Sequence, residues 1–162
     1  MYFLYKKPSD SYIYDYEIHR FSPKIFHLKI KSGEELSLKS RLVRLLFIFL
    51  SKGKLLIYYV EDNGKLIHTS YVMPACRKFP FIKKGEYEIG PCYTHSDYRG
   101  RGIYPTVLQT IVSDKKDTVF HMLVAEENHS SIRGIEKAGF AYAGKAYVTP
   151  LKRYKVLQKN YE

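Results

Sequence analysis

The fold is read outward from DYRGRGIYPTVLQTI, Asp97 to Ile111, where two glycines alternate with two arginines. Pro105 follows, and a proline suits the first turn of a helix, so the spacing predicts a helix over Ile103–Ser113. Upstream, YEIGPCYT (Tyr87–Thr94) reads as a strand. A strand that enters Gly-x-Gly and then a helix is suited to holding an anion. Glycine lets the backbone approach closely, and the first helical N–H groups are unpaired donors at the positive end of the dipole. Arg99 and Arg101 add charge. The competing reading is a glycine-rich turn with solvated arginines. The spacing excludes two familiar phosphate loops. There is no Gly-x-x-x-x-Gly-Lys-Ser/Thr, and no third glycine in an early βαβ unit.

Gly90 and Pro91 lie inside the preceding strand, where a regular central strand does not tolerate them, so a bulge or a break in pairing is expected there. Downstream, TVFHMLV (Thr118–Val124) reads as a buried strand. Ser130–Ala138 reads as a short helix stopped by Gly139. Tyr142–Val148 and Tyr154–Gln158 read as closing strands.

On the N-terminal side, residues 12–21 and 25–31 alternate like strands. Ser37–Ser51 reads as a helix with Ser37 or Ser40 as N-cap, and its apolar excess predicts burial around most of its circumference. Leu55–Val60 and Leu66–Met73 form a hairpin around Asn63-Gly64. Antiparallel strands, then strand–helix–strand–helix, then further strands predict an α/β (α+β) domain. It has a mixed, largely antiparallel central sheet, one bulged and splayed strand, and flanking helices. No linker or repeat divides residues 1–162, so a single domain is expected.

The 162 residues are 45% hydrophobic, enough for one sizeable core. Lys and Arg number 27 against 16 acids, a net charge of +11 that favours an anionic partner, polyphosphate or nucleic acid, although part of it serves solubility. The only cysteines, Cys76 and Cys92, form no disulfide framework, and the opening MYFLYKKPSD is too short in apolar run for a signal peptide. A cytoplasmic protein without a membrane span is expected. The six histidines show no metal-ligand spacing, and no metal is expected.

Arg99-Gly100-Arg101-Gly102-Ile103 resembles the Arg/Gln-x-x-Gly-x-Gly/Ala loop of the GNAT (Gcn5-related N-acetyltransferase) superfamily. Asn128-His-Ser-Ser131, followed by Glu136-Lys137-Ala138-Gly139-Phe140, resembles that family's second segment. The two motifs stand in the expected order and span about residues 86–142. The resemblance implies acetyl-CoA or another acyl-CoA as co-substrate. The pyrophosphate would rest on backbone N–H groups from Arg99, Gly100, Arg101, Gly102, Ile103 and Tyr104. The pantetheine arm would pair with backbone around Cys92, Tyr93 and Thr94, and Asn128 and Ser131 would lie beside it. Asn128 also suits an N-cap.

Two positions depart from the pattern: Tyr104 replaces a small residue in the loop, and Ile135 stands where the family often has a tyrosine acid. Tyr142 or water is the alternative proton donor, or the thiolate needs none. Glu88 occupies the strand position that carries a base in some members, or else is a surface carboxylate; His95 and Glu126 are lesser candidates. The implied activity is N-acylation of a primary amine on a small molecule, such as an amino sugar or nucleotide-linked sugar. Tyr12, Tyr14, Tyr16, Tyr147 and Tyr154 are expected around the acceptor. The alternatives are a non-catalytic CoA-binding module and a nucleic-acid binder. Monomer and homodimer are both open.

Overall fold

The computed structural model describes residues 1–8, 17–30, 34, 36–115 and 117–159. Eight strands form one sheet: β1 (Tyr2–Pro8), β2 (Ile18–Phe21), β3 (Leu56–Asp62), β4 (Lys65–Pro74), β5 (Tyr87–Thr94), β6 (Val119–Ala125), β7 (Ala141–Val148) and β8 (Tyr154–Lys159). Their spatial order is β2-β3-β4-β5-β6-β1-β7-β8. Three helices join them: α1 (Leu38–Leu50), α2 (Ile103–Ser113) and α3 (His129–Lys137). All pairings are antiparallel except β5 with β6, which α2 connects as a crossover.

Period-two alternation sends neighbouring side chains to opposite faces of the sheet, and each face has its own core. Tyr58, Val60, Val72, Ile89, Phe120 and Met122 pack with Val107, Leu108 and Ile111 of α2 and Ile135 of α3. On the other face Ile57 and Met73 meet Phe47 and Ile48 of α1, with Phe79 and Ile82 from the β4–β5 connection.

Two expectations are corrected. Residues 25–30 are not a strand. Lys24 and His27 exchange two backbone hydrogen bonds, 3.0 and 2.8 Å, around a tight turn. The Leu28 carbonyl then accepts from Arg44 instead of from a neighbouring strand. Residue 31 and residues 12–16 of the other expected strand lie outside the described residues.

The first residues, read from sequence only as too short for a leader, form β1 between β6 and β7 in mid-sheet. Finally, α1 is not buried around most of its circumference. Phe47, Ile48 and Arg44 face the sheet, whereas Leu38, Leu42, Leu46 and Phe49 face outward. Ser37 caps α1, its Oγ accepting from the Ser40 N–H at 3.2 Å.

Candidate functional site

The expected break lies on β5. Tyr87 and Glu88 pair in parallel with Phe120 and His121, and the β5–β6 ladder ends there. β5 continues beside β4 alone, Cys92 opposite Ser70, Tyr93 opposite Thr69 and Thr94 opposite His68, with a register shift between Ser70 and Val72. Gly90 sits at φ +153°, a backbone conformation L side chains rarely adopt, so glycine is required at this bulge. The edge of β5 that faces β6 therefore has no strand partner from Ile89 to Thr94.

A cleft of about 660 Å³ opens along this edge. Cys92, Tyr93 and Thr94 form one wall, and Arg99, Gly100, Gly102, Ile103 and Tyr104 close its head. Asn128, Ser131, Arg133, Gly134 and Lys137 supply the other wall. The volume is in the range of small-molecule sites, about 300–1,000 Å³.

Gly100 and Gly102 adopt φ of +77° and +79°, and no protein atom lies within 4 Å of where a Cβ would stand on either. Gly102 caps α2 with no side-chain hydrogen bond, so the first N–H groups of α2 keep their donors for a ligand. The cradle fits a phosphate.

Arg99 donates from Nε to the Thr94 carbonyl at 3.1 Å, tying the loop to the end of β5. Arg101 is not part of the lining; its guanidinium lies 4.9 Å from the centre of the Tyr98 ring. The sequence reading missed Arg133 and Lys137, which line the cleft from successive turns of α3. Their spacing of four puts both on one helix face, a signal that the α3 pattern did contain. Arg99→Ala combined with Arg133→Ala should therefore weaken CoA binding more at low salt than at high salt, as calorimetry at two ionic strengths will read. Arg101→Ala alone should have the smaller effect.

Tyr104 is the first departure from the family loop. Its ring packs against α3 at Gly134, where a Cβ would come within 2.5 Å of the ring. A glycine inside a helix costs about 1 kcal/mol relative to alanine, and here it makes room for Tyr104. The Tyr104 ring also lies 6.0 Å from the His68 ring, centre to centre. Ser70 Oγ lies 2.8 Å from His68 Nε2, and His68 Nδ1 lies 2.8 Å from Thr94 Oγ1. A chain of three polar side chains, Ser70, His68 and Thr94, thus runs beside the cleft wall. Burial lowers the His68 pKa to about 4 and raises the Cys92 thiol to about 12, so both stay neutral at pH 7. Gly134→Ala should displace Tyr104 and lower the melting temperature despite the better helix propensity of alanine. Pairing it with Tyr104→Ala should restore much of the loss, as thermal unfolding of the three variants will show.

Glu88 is not a surface carboxylate. It is buried, and its Oε1 lies 2.7 Å from where a Cβ on Gly90 would stand, so the carboxyl group folds over the bulge where β5 leaves β6. Among the described residues Oε2 has no hydrogen-bond partner. Burial pushes the pKa up from 4.5 to about 8, partly offset by the charge of Lys78. The lesser candidates lie elsewhere. His95 caps the turn at Ser96–Tyr98, accepting from the Asp97 N–H at 3.4 Å. Glu126 Oε1 lies 3.2 Å from Lys145 Nζ.

Asn128 caps α3, accepting from the Ser131 N–H at 3.2 Å, while lining the cleft, so both of its expected roles are geometrically compatible. Ile135 is in the core, and Tyr142 packs edge-on against Phe3 outside the cleft lining. A second cleft, about 380 Å³, lies between α1 and the β4–β5 hairpin, lined by Ser40, Val43, Thr69, Tyr71 and Pro91. Tyr93 lines both clefts. Of the tyrosines expected around an acceptor, Tyr154 stacks on Phe79 and Tyr147 is exposed; Tyr12, Tyr14 and Tyr16 lie outside the described residues.

The model of the acetyltransferase (GNAT) family matches residues 24–140. The chain belongs to the GNAT acetyltransferase family. An acetyltransferase of that family from Colwellia psychrerythraea superposes with a TM-score of 0.51 at 13% identity, covering 88% of this chain and 52% of its own. A GCN5-related N-acetyltransferase from Sphaerobacter thermophilus gives 0.56 at 15%, covering 87% and 48%. These likenesses show the fold, and this chain spans about half the length of the solved structures it matches. No curated protein gives a significant match. The mixed sheet with three helices is the fold expected from the sequence. GNAT proteins use acetyl-CoA as co-substrate, and no group of metal-ligating side chains occurs among the described residues.

Proposed function

We propose that the protein transfers an acyl group, acetyl in the simplest case, from acyl-CoA to the primary amine of a small molecule. The observation that carries this reading is the unpaired edge of β5, bordered by an uncapped helix N-terminus at one end and a buried carboxylate at the other. The loop N–H groups and Arg99, Arg133 and Lys137 hold the phosphates. The backbone of Cys92–Thr94 along the unpaired edge of β5 takes the pantetheine amides in place of a strand.

The acceptor occupies the second cleft, on the α1 side, with Tyr93 between it and the first. An ammonium is not nucleophilic, and Glu88, or a water it orders, accepts its proton. The nitrogen then attacks the thioester carbonyl, and the carbon–sulfur bond breaks. A thiol of pKa about 8.5 is a competent leaving group without a dedicated acid, consistent with isoleucine at position 135. Aromatic walls and a net charge of +11 favour an amine carrying a sugar or phosphate, such as a nucleotide-linked amino sugar. No described helix is long and apolar enough to cross a membrane, and the proposal places the reaction in the cytoplasm.

The test is release of free CoA thiol from acetyl-CoA across a panel of amino sugars, nucleotide-linked amino sugars and amino acids, with the product mass measured. Acylated amine supports the reading. Tight acetyl-CoA binding with no transfer to any amine would favour a non-catalytic CoA-binding module.

A further inference from the structure

α1 is apolar on two faces, one packed on the sheet and one exposed. Its inward face carries Arg44 and Ser40 beside Phe47 and Ile48. Its outward face carries Leu38, Leu42, Leu46 and Phe49, which are 74, 59, 53 and 82% exposed. Spacings of four, four and three residues place these side chains in one stripe along the helix. Lys39 and Arg41, both exposed, flank the stripe on its two sides, and exposed Lys52 and Lys54 follow its end. Residues 24–54 contain only two acids, Glu34 and Glu35, and Glu34 is turned inward onto Arg44.

An apolar stripe bordered on both sides by cations is the pattern of a helix that lies in a lipid interface. We propose that α1 docks this protein, reversibly, on an anionic bilayer surface, with the four apolar side chains entering the headgroup–acyl boundary and the flanking cations meeting lipid phosphates. Charge decides against a second copy of the chain as the occupant. Two such faces in contact would bring cationic rims together, on chains that each carry a net charge of +11. Docking would hold the second cleft beside the lipid headgroups, because Lys39, Ser40 and Val43 of α1 line it.

The test is co-sedimentation of the full chain with vesicles of phosphatidylcholine containing about 30% phosphatidylglycerol, against pure phosphatidylcholine, at about 0.1 and 0.5 M salt. Binding should favour the anionic vesicles and weaken with salt, and Leu42→Glu combined with Phe49→Glu should reduce it by about tenfold or more. Both positions are exposed, so circular dichroism and the melting temperature should match wild type and separate lost docking from lost fold. A Lys39→Glu, Arg41→Glu pair should also lose binding, through charge.

Three results would overturn the proposal. One is no binding by wild type. Another is retention of binding by the Leu42→Glu, Phe49→Glu variant, or equal retention on heparin, which makes the patch a general polyanion site. The third is a concentration-dependent dimer that the same variant disperses, which assigns the stripe to a second copy.

Discussion

Glu88→Gln should slow acyl transfer by about 10²–10⁴ and at the same time make the protein more stable above neutral pH. The two effects have one cause. The carboxyl group is buried over the Gly90 bulge, and burial holds its pKa near 8 instead of 4.5. The folded state therefore binds this proton more tightly than the unfolded chain does. Below about pH 4.5 the group is protonated in both states and costs nothing. As pH rises from 4.5 to 8 the unfolded chain gains from ionisation while the folded state does not, and stability falls until both are ionised. Glutamine has no proton to lose and avoids the cost, on the order of a few kcal/mol above pH 8.

Catalysis depends on the opposite side of this equilibrium, since only the carboxylate accepts a proton. The wild-type rate should climb with pH toward about 8, and that limb should be missing from the glutamine variant. Unfolding measured from pH 4 to 9, with rates over the same range, checks both. A variant that turns over normally would make Glu88 a structural carboxyl group.

Arg44→Ala should lower stability by about 3–5 kcal/mol, the largest loss expected from one substitution here. The guanidinium is 3% exposed. It meets both oxygens of Glu34, at 2.7 and 3.1 Å, donates from Nε to the Tyr71 hydroxyl at 2.8 Å and bonds the Leu28 carbonyl. Removing it leaves the Tyr71 hydroxyl and the Leu28 carbonyl without this donor, and Glu34 with only the Ile30 N–H, under α1. For a chain of this size the melting temperature should fall by roughly 10 °C. Arg44→Met with Glu34→Leu removes both charges and should recover most of the loss, because a buried ion pair repays little beyond its own desolvation. Acetyl-CoA affinity should hold in the double variant, since the first cleft lies on the other side of β5, whereas affinity for the acceptor should change. A stable Arg44→Ala would mean that water reaches the pair.

What the sequence made legible was local. The strand–glycine–helix junction, the Gly90-Pro91 break, the Asn63-Gly64 hairpin and the Asn128 cap each rest on backbone rules that act within a few residues, and each is present. What it hid was distant. β1 pairs with strands more than 110 residues away, and no pattern in its seven residues of mixed polarity shows such partners. The outward stripe of α1 was hidden for a related reason: an apolar excess says how much could be buried, not which face has a sheet to meet. The fit of Tyr104 was equally out of reach. It depends on Gly134, thirty residues on, which reads alone as a weak point in a helix. Arg133 was missed, and Arg101 expected in its place, because which arginine lines the cleft depends on how Tyr98 and α3 are placed.

The most direct test is calorimetric titration of acetyl-CoA into the wild-type chain and into Gly102→Val. Position 102 adopts φ +79°, and a Cβ there would meet no protein atom; its added carbons would instead stand in the space at the loop where phosphate is expected. The account predicts saturable binding to wild type and a loss of about tenfold or more in the variant, with its fold intact by circular dichroism. No binding to wild type, or equal affinity in a folded Gly102→Val chain, would contradict it.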